Sequence, residues 1–91
     1  MAYCKNKNIS IYYEQHGDGV PIVLVHGGAV SFDANYAVYG WVEFLTQRGF
    51  QVIGLDLRGH GLSDKPLDAS AYGTVNLAGD VLAVMDELEL K

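Results

Sequence analysis

Two short apolar runs, each broken at its end by glycine, constrain the fold of this chain more than any other feature. The first is Pro21-Ile22-Val23-Leu24-Val25-His26, followed at once by Gly27-Gly28. The second is Phe50 to Asp56, followed by Leu57-Arg58-Gly59-His60-Gly61-Leu62-Ser63-Asp64. A run without polar alternation suits a strand covered on both faces, as in a parallel sheet. Between the two runs, residues 38 to 48 place Val38, Trp41, Val42 and Leu45 on one helical stripe, and Gly49 stands where it can cap the helix C-terminus. Strand, helix and strand in that order predict a right-handed parallel crossover.

The flanking segments extend this pattern. Tyr3 to Lys5 reads as a short strand that turns at Asn6-Lys7-Asn8. Ile9 to Gln15 has the β-branched and aromatic content of a half-exposed strand, and His16-Gly17-Asp18-Gly19 is a turn. Residues 29 to 36 and 57 to 73 read as loops. Thr74 is placed to N-cap a helix over Val75–Leu88 with an apolar stripe of Ala78, Val81, Leu82, Met85 and Leu88. Gly79 weakens that helix by up to about 1 kcal/mol and so marks a close approach to the sheet. The class is therefore α/β, with about four strands and two helices. A parallel strand would be expected after the last helix, so residues 1–91 read as a partial domain whose three layers are incomplete.

Composition narrows the function. With 49% hydrophobic and 19% charged residues the chain is globular, not disordered. The net charge is −5 and the six Lys and Arg residues are scattered, which speaks against nucleic acid as a partner. The single cysteine, Cys4, allows neither an internal disulfide nor a cysteine metal site, and fits a reducing, cytoplasmic compartment. The first residues lack the apolar region of a secretory signal. The apolar run Ile22–Val25 is far too short to span a membrane.

Two segments carry candidate chemistry. In His26-Gly27-Gly28 the backbone N–H of Gly28, with Ala29 as a second donor, can face a substrate oxygen as an oxyanion hole. The same tripeptide also reads as a plain strand-ending turn, with His26 and Gly27 structural. In the second segment Asp56, Arg58, Gly59, His60 and Gly61 read as structural, with Arg58 pairing with Asp56 or a nearby carbonyl. Gly61-Leu62-Ser63-Asp64-Lys65 resembles a nucleophile elbow, but lysine fills the fifth position and the serine follows a loop, so Ser63 is rejected as a nucleophile. Ser10, Ser31 and Ser70 have no better setting. Gly59-His60-Gly61 lacks the third glycine and the helix of a dinucleotide site, and no phosphate loop exists. Asp33, Asp56, Asp64 and Asp68 lack metal-ligand spacing, so no cofactor or metal is expected.

Taken together, Val20 to Gly28, Asp56 to Pro66 and the helix containing Gly79-Asp80-Val81-Leu82-Ala83-Val84-Met85-Asp86 resemble the N-terminal part of α/β-hydrolase-fold enzymes. The resemblance covers the whole chain and is closest to epoxide hydrolases, haloperoxidase-like esterases and their relatives. It implies a parent hydrolase of small-molecule esters or epoxides, with a nucleophile, a histidine and an acid that come later in the family's order. It implies that Gly28 is half of the oxyanion hole. Gly28 stands where dehalogenases commonly carry asparagine, which counts against that activity. By this reading the 91 residues alone are inactive, and either self-associate through an exposed strand edge or are only marginally folded. The alternative is a small non-catalytic α/β binding module.

Overall fold

The computed structural model describes residues 2–28, 30–37 and 39–90. Four strands form one mixed sheet: β1 (Ala2–Asn6), β2 (Ile9–His16), β3 (Val20–Val25) and β4 (Phe50–Leu55). Their order is β1-β2-β4-β3, with β1·β2 and β2·β4 antiparallel and β3·β4 parallel. Two helices accompany the sheet, α1 (Trp41–Thr46) and α2 (Thr74–Glu87). A π-type turn lies at Asp33–Ala37 and a 3-10 turn at Ala69–Tyr72.

Strand alternation divides the core into two sides. On one side Cys4, Ile11, Tyr13, Ile53 and Leu55 pack with Val84 of α2. On the other, the ring of Phe32, 1% exposed, lies on Gly54 in the middle of β4. A Cβ at Gly54 would sit inside that ring. This close approach fixes the segment after β3 against the sheet.

Several sequence expectations change. β3 is covered only in part: Val20, Pro21 and Val25 are exposed and Ile22–Leu24 half-buried, because among the described residues β3 pairs on one side alone. The expected helix over 38–48 is shorter. It starts at Trp41 after a left-handed Gly40, and Val38 lies outside the described residues. Trp41 and Phe44 are about half exposed, with the Arg48 guanidinium over the Phe44 ring. Gly49, at φ +87°, does occupy the expected left-handed position after α1. The loop expected at 29–36 contains the start of the 33–37 turn.

α2 begins at Thr74, so Gly73 is its N-cap and no side chain caps it. Its buried face is rotated from the predicted stripe. Asp80 and Val84 are buried, Leu77, Val81 and Leu88 half-buried, and Ala78 and Leu82 exposed. That face carries Asp80, whose buried carboxylate bonds Arg58 and Asn6. Gly79 then faces the Asn6 side chain of β1, where a Cβ would come within 2.9 Å of Nδ2. That is the close approach its presence predicts.

Candidate active-site turn

Val25 and Leu55 are register partners, so the turns that follow β3 and β4 leave the same end of the sheet. His26 joins them. It is 4% exposed; its Nε2 accepts the Leu57 N–H at 3.0 Å and its Nδ1 lies 2.6 Å from the Gly27 carbonyl oxygen. A backbone donor on one nitrogen and a backbone acceptor on the other fix the neutral tautomer with the proton on Nδ1. The ring also lies 4.8 Å from that of His60, whose Nδ1 is 2.9 Å from the Arg58 carbonyl oxygen. His26 is thus bonded to backbone groups through both ring nitrogens.

The His26 ring has a consequence for Gly28. It holds the Gly27 carbonyl, and across a trans peptide the Gly28 N–H points the opposite way. Gly28 is exposed, and a Cβ added to it would meet nothing within 4 Å. Neither Gly27 nor Gly28 adopts a positive φ. Neither glycine is therefore required here by a left-handed turn. Ala29, the second candidate donor, lies outside the described residues.

Asp56 ties the neighbouring loops together. Its Oδ1 accepts the Phe32 N–H and its Oδ2 the Leu62 N–H, each at 2.9 Å. Gly61 packs directly on this carboxylate at φ +50°, and a Cβ there would overlap Asp56 Oδ2. Ser63, 3% exposed, accepts the Tyr12 N–H at 2.8 Å and donates its hydroxyl to the Asp56 carbonyl. Its Oγ is thus held inside the fold between two backbone groups.

Arg58 does not pair with Asp56, the first partner considered for it. It reaches Asp80 of α2 through Nε and Nη2, at 2.7 to 3.1 Å, and donates Nη1 to the Ala71 carbonyl, the kind of acceptor also considered. Asp80 also accepts the Arg58 N–H and Asn6 Nδ2. These bonds from Asp80 hold the guanidinium pKa above its usual value against the opposing effect of burial. Asp56 is already committed to two amides, whereas Asp80 is fully buried and needs a cation.

Sequence reasoning missed three groups near this end of the sheet. Asn35 Oδ1 accepts the Gly27 N–H at 2.8 Å, and Tyr36 donates its hydroxyl to the Val25 carbonyl. On β2, Tyr12 donates to Glu14 Oε2 at 2.7 Å while His16 Nε2 lies 2.8 Å from Glu14 Oε1. Tyr12, Glu14, Ser31, Asp33, Asp56, Gly61 and Leu62 line a shallow cleft there. The alternation 12, 14, 16 was the available signal for the β2 row. Asn35 and Tyr36 gave none, because no periodicity links a turn to the strand end it serves.

Residues 20–91 match the family model of the alpha/beta hydrolase fold. The chain belongs to the α/β-hydrolase fold family. The chain is 36% identical to the AB hydrolase superfamily protein YisY of Bacillus subtilis (strain 168) over 86 residues, covering 93% of itself and 30% of that relative. A bromoperoxidase from Bacillus anthracis superposes with a TM-score of 0.85 at 36% identity, over 99% of this chain and 32% of that one. An esterase, EaEST, from Exiguobacterium antarcticum gives the same TM-score at 29% identity, over 98% and 32%. This α/β-hydrolase chain thus spans about a third of the length of the relatives it matches. Its four-stranded mixed sheet with two helices corresponds to the N-terminal part of the fold. None of the described helices is long and apolar enough to cross a membrane.

Proposed function

We propose that these residues form the N-terminal section of a hydrolase acting on small-molecule esters, epoxides or related substrates, and that the Gly28 N–H is one donor of its oxyanion hole. The observation that carries the reading is the exposed Gly28 amide at the carboxyl end of β3. The residue is exposed, a Cβ added to it would meet nothing within 4 Å, and the Val25 carbonyl, the Gly27 N–H and the Gly27 carbonyl around it are already bonded. Relatives named esterase, epoxide hydrolase and non-heme chloroperoxidase give this reading its substrate range. When a nucleophile attacks a carbonyl, charge collects on the oxygen, and an amide fixed before the reaction stabilises it without reorganisation. The nucleophile, its histidine and its acid are not assigned to any of the 91 residues. Buried, unpaired Cys4, its thiol pKa raised first by burial, fits a reducing cytoplasmic setting.

The chain alone is therefore expected to show no turnover of an activated ester above background. For the donor, the 91 residues replace the corresponding first third of the Exiguobacterium esterase. In this hybrid Gly28→Pro, which deletes the N–H, is expected to lower kcat by about 100- to 1,000-fold with KM little changed. Circular dichroism verifies the fold. An unchanged kcat in a folded Gly28→Pro hybrid refutes the role.

A further inference from the structure

Two consecutive glycines have no side chains with which to hold their own turn. The described bonds to Gly27 come from two sides. His26 Nδ1 takes its carbonyl and Asn35 Oδ1 takes its N–H. Asn35 is itself anchored. Its N–H donates to the Ser31 carbonyl at 2.9 Å, and the neighbouring Ala34 N–H donates to Ser31 Oγ at 3.2 Å. Phe32, the residue after Ser31, is locked by its ring on Gly54 and by its N–H on Asp56. A rigid line of contacts thus runs from the middle of β4 to the amide preceding Gly28. π-type turns such as the one holding Asn35 often occur at functional sites.

We propose that Asn35 is a positioning residue for the oxyanion turn: its Oδ1 holds the Gly27 N–H and thereby sets the direction in which the next amide, Gly28, is presented. This rests on the role of Gly28 proposed above. His26 restrains the carbonyl end of the peptide unit that carries the Gly28 N–H. Asn35 restrains the preceding unit, so the rotation left to His26 alone is removed. An amide aimed in advance is worth more to a developing charge than one that must turn to meet it.

Two measurements test this. In the 91-residue chain, hydrogen exchange read by NMR is expected to show the Gly27 amide losing about tenfold of its protection in Asn35→Ala, the worth of one neutral hydrogen bond. Asn35→Asp, which keeps an acceptor at the same reach, is expected to retain that protection, and the β4 amides are expected not to change. In the esterase hybrid, Asn35→Ala is expected to lower kcat about tenfold at constant KM, and to have no further effect in a Gly28→Pro background. Losses that simply add, or equal exchange in the Ala and Asp variants, overturn the proposal while leaving Gly28 in place. If Gly28→Pro alone leaves kcat intact, the oxyanion reading itself fails. Where Asn35→Ala does not fold, Asn35→Leu keeps the volume, lacks the acceptor and gives the same discrimination.

Discussion

Asp80 shows how much one residue can hold together. Fully buried on α2, it takes the Arg58 guanidinium, the Arg58 amide and the Asn6 side chain, and so joins the helix to β1 and to the turn after β4. Truncating it strands a guanidinium in a residue only 5% exposed, with no charge opposite. Breaking a buried pair in this way costs about 3–5 kcal/mol, a large share of the stability of a domain this size. Asp80→Ala is accordingly expected to unfold at much lower urea, while Arg58→Met with Asp80→Leu recovers most of the loss. Urea melts of the single and double variants check this. Arg58 was recognisable in the sequence as needing an anion or carbonyl, but Asp80 lies 22 positions away and falls outside the predicted stripe of Ala78, Val81, Leu82, Met85 and Leu88. Read as a buried position in step with Leu77, Val81, Val84 and Leu88, it would have given the true face of the helix.

At the scale of elements, strands were the most legible. β2 and β4 follow from their β-branched and aromatic content, and the parallel pairing of β3 with β4 follows from the helix between them. Helix starts were not, because Gly40 and Gly73 lead α1 and α2 in place of side-chain caps. The row of Tyr12, Glu14 and His16 on β2 carries a pH dependence. Burial raises the Glu14 carboxyl, but the bonds from Tyr12 and His16 outweigh it and hold the group below its ordinary 4.5. A lowered folded value means stability present above that pH and lost as the pH falls through it. Glu14→Gln is expected to remove this acid-side loss, about 1 kcal/mol or less, as seen in denaturant melts from neutrality to below the carboxylate range. Tyr12 acts in the opposite sense. Burial, and then its bond to Glu14, raise the phenol above its ordinary 10, so its contribution is complete below that pH and fades in stronger alkali.

The molecule as a whole ends its sheet, among the described residues, on β3, with Val20 65% and Val25 42% exposed. An apolar edge strand with unpaired backbone groups is a template for another chain. The 91-residue protein is therefore expected to self-associate, with sedimentation velocity rising with concentration, and Val20→Lys is expected to weaken the effect. A monomer at every concentration, unfolding cooperatively at high denaturant, would contradict it. The middle of the sheet imposes a limit of another kind. A search for stabilising changes by strand preference would single out Gly54, a glycine amid β-branched neighbours, for replacement by valine or isoleucine. That improvement is closed to this protein. The ring of Phe32 already occupies the volume any side chain would take, and the segment it secures leads to Asn35 and the glycine turn. A residue that contributes no side chain of its own is therefore expected to tolerate replacement poorly, because its empty volume is already filled by a neighbour.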